Sequence, residues 1–489
     1  MQTYFPKYFT QRAIGSYIAL LLVVSLVFMR FSMEWYFMLF GLVEVLGFFY
    51  YTNTLTRRWS ALRERTFTRT LLWSAFTIRA VWVIFSYFFY TRMTGSPFEF
   101  WAGDASFYHE AALYGAQYLR DHFMDLPGYI PLVHKVFGTA LSDSGYATYL
   151  GLVYYLSGDS IIVSRLLKAL YGALSCVLMY RLARRNFGEW VGRMTAVMCM
   201  LMPNLIYYCG LQLKEAEMVF LTVLFLERAD HLMKAGQFAI VPTLVVVTVG
   251  MLLFTFRTVL AGVLFIAFFM ALIMSSTRVV KWGRRALVIV LSLLFIGLMF
   301  SSRIEEEITE LTSTDVISQQ QGNMQWRSQR AASEGRNNRY IRYASAFVFA
   351  PMIFTIPFPT MVNVPGQENQ QLLHGGNFVK NITSFFTILA LFLLLMPYDW
   401  RKNLLQGEWR GHVLSIAFLV GYLAVLTVSS FAHSERFHLP SVPVALMLAA
   451  YAVERFNVKW RWIYTAWVIL MFVAGVAWTW FKLSGRGWV

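Results

Sequence analysis

The stretch WAGDASFYHEAA, residues 101–112, carries a carboxylate at Asp104, with Tyr108, His109 and Glu110 close behind it. A carboxylate within hydrogen-bond reach of a hydroxyl can take its proton as the oxygen attacks. Asp104 is thus the first candidate for a general base, though an aspartate opening a helix also serves as an N-cap worth about 1 kcal/mol. The cations lie elsewhere. Lys214 and Glu215, with Glu217 after them, occupy a turn in YYCGLQLKEAEMVF, and Arg257 interrupts the apolar run LLFTFRTVL. Arg165 and Lys168 open another apolar block, and SFAHSERFH brings together His433, Glu435, Arg436 and His438. Arginine grips phosphate oxygens through paired N–H donors, and lysine supplies a point charge. Each group also has a plain structural reading: solvated turn residues at 214–215, a snorkelling side chain at Arg257, a helix-capping ion pair at Glu435–Arg436. That last reading is weakened because adjacent residues do not face each other on a helix. An acid able to take a proton and several cations suited to a phosphate-bearing lipid are the chemistry on offer.

The elements that must position these groups are membrane spans. Apolar residues make up 58% of the 489 positions and charged residues only 14%, against roughly a quarter charged in a soluble domain. The apolar residues fall into blocks of about 20, the length that crosses a bilayer, and such blocks must be helical because lipid leaves no partner for open backbone groups. Spans are expected near 13–30, 34–52, 70–91, 160–181, 190–209, 214–229, 238–254, 258–276, 285–301, 377–397, 411–431, 439–453 and 461–481. The formal net charge of +16 invites a nucleic-acid reading, but its placement argues for topology instead. Arg57, Arg58 and Arg63, then Arg181, Arg184 and Arg185, then Arg278 and Lys281, then Arg401 and Lys402, then Arg455 and Lys459 all fall in even-numbered connections. Short loops rich in Lys and Arg stay cytoplasmic, so the amino terminus is expected inside and the carboxyl terminus outside. The first block lacks a small-residue cleavage site and reads as a retained anchor. Cys176, Cys199 and Cys209 lie in or beside apolar blocks and suggest neither a disulfide framework nor a zinc motif.

This count leaves two long connections outside, at 92–159 and 302–376. In the first, Phe107, Ala111, Tyr114 and Tyr118 recur at helical spacing, as in an amphipathic helix lying on the membrane surface. The second ends in FVFAPMIFTIPFPTMVNVP, whose prolines forbid a spanning helix and fit a re-entrant or interfacial segment. The organisation is therefore an amino-terminal hairpin and basic loop (1–69), a core with the first outer loop (70–301), the second outer loop (302–376) and carboxyl-terminal helices (377–489). No phosphate-cradling glycine loop occurs, which fits chemistry at the outer face, since nucleotide sugars are cytoplasmic.

The stretches GDASFYHEAA, LVYYLSGDSIIVSRLLKALYGALSCVLMYRLARRNFG, PNLIYYCGLQLKEAE and SERFHLPSVPVALMLAA resemble bacterial GT-C glycosyltransferases. More narrowly, they resemble the branch related to protein mannosyltransferases and to the lipid A aminoarabinose transferase. The likeness covers about 90–230 and 410–455; between them only hydropathy and FAPMIFTIPFPT match. It implies an all-α membrane core of GT-C type and a surface-helical first loop bearing the catalytic carboxylate. It also implies a polyprenyl-phosphate sugar donor, inversion at the anomeric carbon and an active site on the periplasmic or extracellular face of a bacterial inner membrane. Asp104 matches the loop carboxylate, Lys214 and Glu215 the later functional turn, and Arg436 the arginine before a proline-rich helix start. The chain departs from the family in two ways. Ala105 stands where protein mannosyltransferases have a second acid, so Glu110 or Glu215 would have to substitute. Asp104 also follows the third span instead of the first, which makes spans one and two an added hairpin.

The expected reaction is displacement at a sugar's anomeric carbon, the acceptor being an envelope lipid, glycan or protein. Asp104, Glu215 and Glu110 are the catalytic candidates; Lys214, Arg257, Arg436, His438, Arg165, His109 and Tyr108 are the substrate-binding ones. Cations can replace the metal that nucleotide-sugar enzymes use, so no cofactor is required. His109, His433 and His438 leave a divalent metal conceivable but show no HExxH-type spacing. Two other readings compete: an O-antigen polymerase or ligase, kept open by the 302–376 loop, and a lipid-linked glycan transporter, for which repeated halves and midplane charges are expected.

Overall fold

Inside a bilayer an apolar run must close its backbone hydrogen bonds upon itself, so the blocks above fold as helices. The structure, a computed structural model, describes residues 4–137, 141–234, 240–274, 358–395, 411–428 and 434–484. The first spans are α1 (Lys7–Val27), α2 (Trp35–Trp59) and α3 (Glu64–Thr94). Three shorter helices, α4 (Gly103–Asp121), α5 (Leu126–Phe137) and α6 (Leu141–Ser157), fill the first long connection. Next come α7 (Ile161–Phe187), α8 (Glu189–Leu201), the short α9 (Pro203–Tyr207), α10 (Glu215–Lys234), α11 (Ile240–Phe256) and α12 (Thr258–Met274). The last group is α13 (Glu368–Leu372), α14 (His374–Leu395), α15 (Val413–Val428), the four-residue α16 (Glu435–His438), α17 (Val442–Arg455) and α18 (Arg461–Ser484).

The fold is all-α: among the described residues the only β pairing is one isolated bridge, Ser32–Val362. Among the described residues seven helices are long and apolar enough to cross a membrane, and α11, α12 and α15 are apolar but shorter. This is a multi-pass membrane protein. Helices occupy the expected spans except the ninth, 285–301, which lies outside the described residues, as do the segment 302–357 and His433.

One expected span is not a single helix. The run 190–209 breaks after Leu201: Pro203 opens α9, and a 3₁₀ turn follows at Tyr208–Gly210. Proline has no N–H to give the carbonyl four residues back, so the last carbonyls of α8 need other donors. Arg79 of α3, 1% exposed, supplies them, donating to Cys199 O at 3.1 Å and Met200 O at 3.3 Å. The broken segment is finished by Trp82 Nε1 on Tyr207 O at 3.0 Å and by Lys168 Nζ on Leu211 O at 2.8 Å. A second intramembrane charge, Glu44 of α2, serves a helix start in the same way, accepting the Gly376 N–H at 2.8 Å in the first turn of α14.

The alternation of connections is visible as two polar ends. At one, Arg193 donates to the carbonyls of Trp59, Ser60 and Leu62 at 2.7, 2.9 and 2.7 Å. There too Arg184 pairs with Glu64 and Glu189, Arg185 with Glu227 and Asp230, and His412 stacks on Phe187 at 4.3 Å. Connections two, four, six and ten therefore meet. At the other end Asn363 N donates to Phe31 O at 2.8 Å, Asn369 Nδ2 to Phe100 O at 2.7 Å and Tyr208 to Glu435 at 3.2 Å. These contacts join connections numbered one, three, five, nine and eleven in the expected order of spans.

Which compartment each end faces is open to labelling. Cys176, Cys199 and Cys209 are buried, so the background is low. Phe123→Cys, at a position 96% exposed in the first long connection, is expected to react with a membrane-impermeant maleimide added to intact cells. Arg65→Cys, exposed in the first turn of α3, should react only after permeabilisation. The reverse pattern would overturn the orientation.

Helix α4 keeps the expected helical period. Phe107 and Tyr114 are 39% and 48% exposed, while Ala105, Ala112, Ala116 and Leu119 are fully buried where α4 packs on α6. The small residues matter: Tyr129 wedges between the two helices, and a Cβ on Gly115 or Gly151 would stand 2.6 or 2.0 Å from its hydroxyl.

Candidate active site

Four odd-numbered connections converge on one ion pair, Arg436–Glu215. Ala102 is the N-cap of α4, so Asp104 is not a cap; it sits in the first turn, where the helix dipole favours negative charge. Its side chain is 63% exposed and accepts from Arg436 Nη1 at 2.5 Å. Arg436 belongs to α16, and its Nε donates to Oε1 of Glu215, the first residue of α10. Glu215 is fully buried and lies 3.8 Å from Nη2 of Arg257. Arg257 occupies the break between α11 and α12 and rests over the Phe437 ring at 4.4 Å. Acid, base, acid and base alternate across residues far apart in sequence.

Beneath this row lies a second layer of charge. Lys168 of α7, fully buried, donates to Tyr146 Oη at 2.8 Å and stands 3.8 Å from Glu217. Lys214 gives a hydrogen bond to the Phe256 carbonyl at 2.8 Å, capping the end of α11 where cations are favoured. Tyr208 donates to Glu435, the neighbour of Arg436.

Toward α4, Arg165 is fully buried and its Nη2 donates to Pro97 O at 2.6 Å. Glu99, 8% exposed, lies on the same segment, and burial pushes its carboxyl above the usual carboxylate range against the pull of Arg165 and Arg436. His109 Nδ1 lies 2.8 Å from Tyr154 Oη, and burial holds the imidazole below its ordinary range. Tyr108 is buried edge-on to Tyr146, with ring centres 4.8 Å apart. Several buried polar atoms here have no hydrogen-bond partner in the protein: Nε and Nη1 of Arg165, Nη1 of Arg257, and one oxygen each of Glu99 and Glu215. Buried polar groups are nearly always paired, so idle donors on two arginines mark the place an anion or hydroxyl would occupy.

Of the residues singled out from sequence, Asp104, Glu215, Arg257 and Arg436 come together, with Arg165, Lys214, His109 and Tyr108 on the same side of the molecule. His438 is buried at the start of the 3₁₀ turn leading into α17. Glu110 is exposed and six residues beyond Asp104 on α4, about 240° around the helix. Glu215 shares Arg436 with Asp104, while the buried Glu99 was passed over by sequence reading. Its signal was a carboxylate five residues before Asp104 among aromatic rings. No three His, Cys, Asp or Glu side chains among the described residues are grouped to hold a metal.

No protein-family model matches the sequence, nor does any curated protein. Among solved structures, the crystal structure of ArnT from Cupriavidus metallidurans bound to undecaprenyl phosphate is similar, with 15% identity and a TM-score of 0.38. The match covers 67% of this chain and 52% of that one, so this chain spans about half of that protein's length.

Proposed function

We propose that the protein is a membrane glycosyltransferase. It moves a sugar from a polyprenyl-phosphate carrier to a hydroxyl of an envelope lipid, glycan or protein, at the outer face of a bacterial cytoplasmic membrane and with inversion. The observation that carries this reading is the row Asp104–Arg436–Glu215–Arg257, which sets an accessible carboxylate against two guanidinium groups, with Nη1 of Arg257 idle. Asp104 takes the acceptor's proton as its oxygen bonds to the anomeric carbon. The bond from that carbon to the phosphate oxygen breaks, and the electron pair leaves with the carrier phosphate. Arg436 and Arg257 oppose the charge that builds there; donors fixed in advance are worth several kcal/mol in a water-poor site.

In the resting protein Asp104 holds Arg436 Nη1, so an arriving phosphate offers that donor a second anion and frees the aspartate oxygen. Glu215, without access to solvent, keeps both arginines in place and is a positioning residue. The charges sit at one end of the bundle, whereas a transporter's substrate charges belong near the midplane on broken helices.

Reconstituted wild-type protein given radiolabelled polyprenyl-phosphate hexoses and pentoses, with envelope lipids and glycans as acceptors, is expected to release bare polyprenyl phosphate and label an acceptor. Consumption of none of these donors, or labelling from a nucleotide sugar without a carrier, would sink the reading.

A further inference from the structure

Glu99 and Arg165 are both buried, and Arg165 reaches the backbone two residues before Glu99, yet the two side chains make no ion pair. Arg165 spends one donor on Pro97 O and leaves Nε and Nη1 idle, while Glu99 leaves Oε2 idle. The backbone between them is pinned from both sides: Thr94 Oγ1 donates to Phe98 O at 3.1 Å and Asn369 Nδ2 to Phe100 O at 2.7 Å. A group that completes the pair must donate to a carboxylate and accept from a guanidinium at once. A hydroxyl does both, and neighbouring hydroxyls on one ring do so with two atoms. A phosphate only accepts and would be repelled by Glu99; an acyl chain does neither.

Resting on the glycosyltransferase reading, we propose that Glu99 and Arg165 form the subsite that grips the hydroxyls of the transferred sugar. Its position agrees. Glu99 precedes Asp104 by five residues and feels the charge of Arg436, the arginine that holds Asp104, so a sugar seated there keeps its anomeric carbon beside the phosphate bracket.

The test is binding to full-length protein in nanodiscs, using bare polyprenyl phosphate and its glucosyl, galactosyl, mannosyl and arabinosyl esters. Wild type is expected to bind at least one ester about 10- to 100-fold more tightly than the bare carrier, the range for hydrogen bonds to charged groups. Glu99→Gln should erase that difference and bind the bare carrier as wild type does. Monodeoxy versions of the preferred ester, offered to wild type, should lose about tenfold at one hydroxyl, which keeps the test free of any folding defect in the variant. No advantage of any ester in wild type, an undiminished advantage in Glu99→Gln, or equal binding of every deoxy ester would each overturn the subsite. If the advantage is present but no sugar is transferred to any acceptor, the subsite stands and the glycosyltransferase reading falls.

Discussion

Asp104→Asn protein is expected to fold as wild type does and to transfer sugar about a thousandfold more slowly. Asparagine keeps a carbonyl oxygen for Arg436 Nη1 but cannot accept a proton, so the substitution removes the chemistry and keeps the contact. General-base catalysis is worth about 10²- to 10⁴-fold. Stability should hardly move because the side chain is mostly exposed and surface ion pairs contribute about 0–1 kcal/mol. Initial rates of carrier-linked sugar consumption, paired with thermal unfolding in detergent, check both halves. A variant that turns over like wild type would remove Asp104 from the reaction.

Arg436→Ala is the opposite case, a large loss of stability together with activity. Glu215 has no solvent exposure, and without Arg436 its remaining cation, Arg257, stands 3.8 Å away. Breaking a buried pair by removing one partner costs about 3–5 kcal/mol, because a charge is left uncompensated. The double variant Glu215→Gln with Arg436→Met removes that charge, so its unfolding temperature should recover while its affinity for polyprenyl phosphate stays low. Recovery of donor binding along with stability would show that the arginine serves the fold alone. A single variant as stable as wild type would show that Glu215 finds another partner.

Span positions were legible in hydropathy, and the alternation of basic connections predicted which loops share an end. What escaped was what happens inside the spans. Pro203 was in plain view within PNLIYY, yet a hydropathy window runs through it because one proline hardly lowers an average. The break exposes carbonyls, and Arg79 is the donor that answers them. An ionisable residue deep in an apolar block is a signal, and Arg79 and Glu44 both carried it. The site was legible in part for a similar reason. Asp104, Glu215, Arg257 and Arg436 stand out as charges at the edges of apolar blocks. Glu99 became significant only once the fold set Arg165 against the same segment. On α4 the period was readable but the close packing against α6 was not, because alanines and glycines give a weak hydropathy signal.

The two ends of the bundle are fastened by different kinds of bond. Where Arg193 grips three carbonyls and Arg185 holds two nearly buried acids, the acceptors belong to the protein's own frame and an incoming anion has nothing to replace. Where Asp104 and Glu215 share Arg436, a carrier's headgroup can take over one of the places. The molecule is thus built like tongs riveted at one tip. On the proposed reading, a docked headgroup would replace contacts at the Arg436 end alone and leave those of Arg193 and Arg185 as they are.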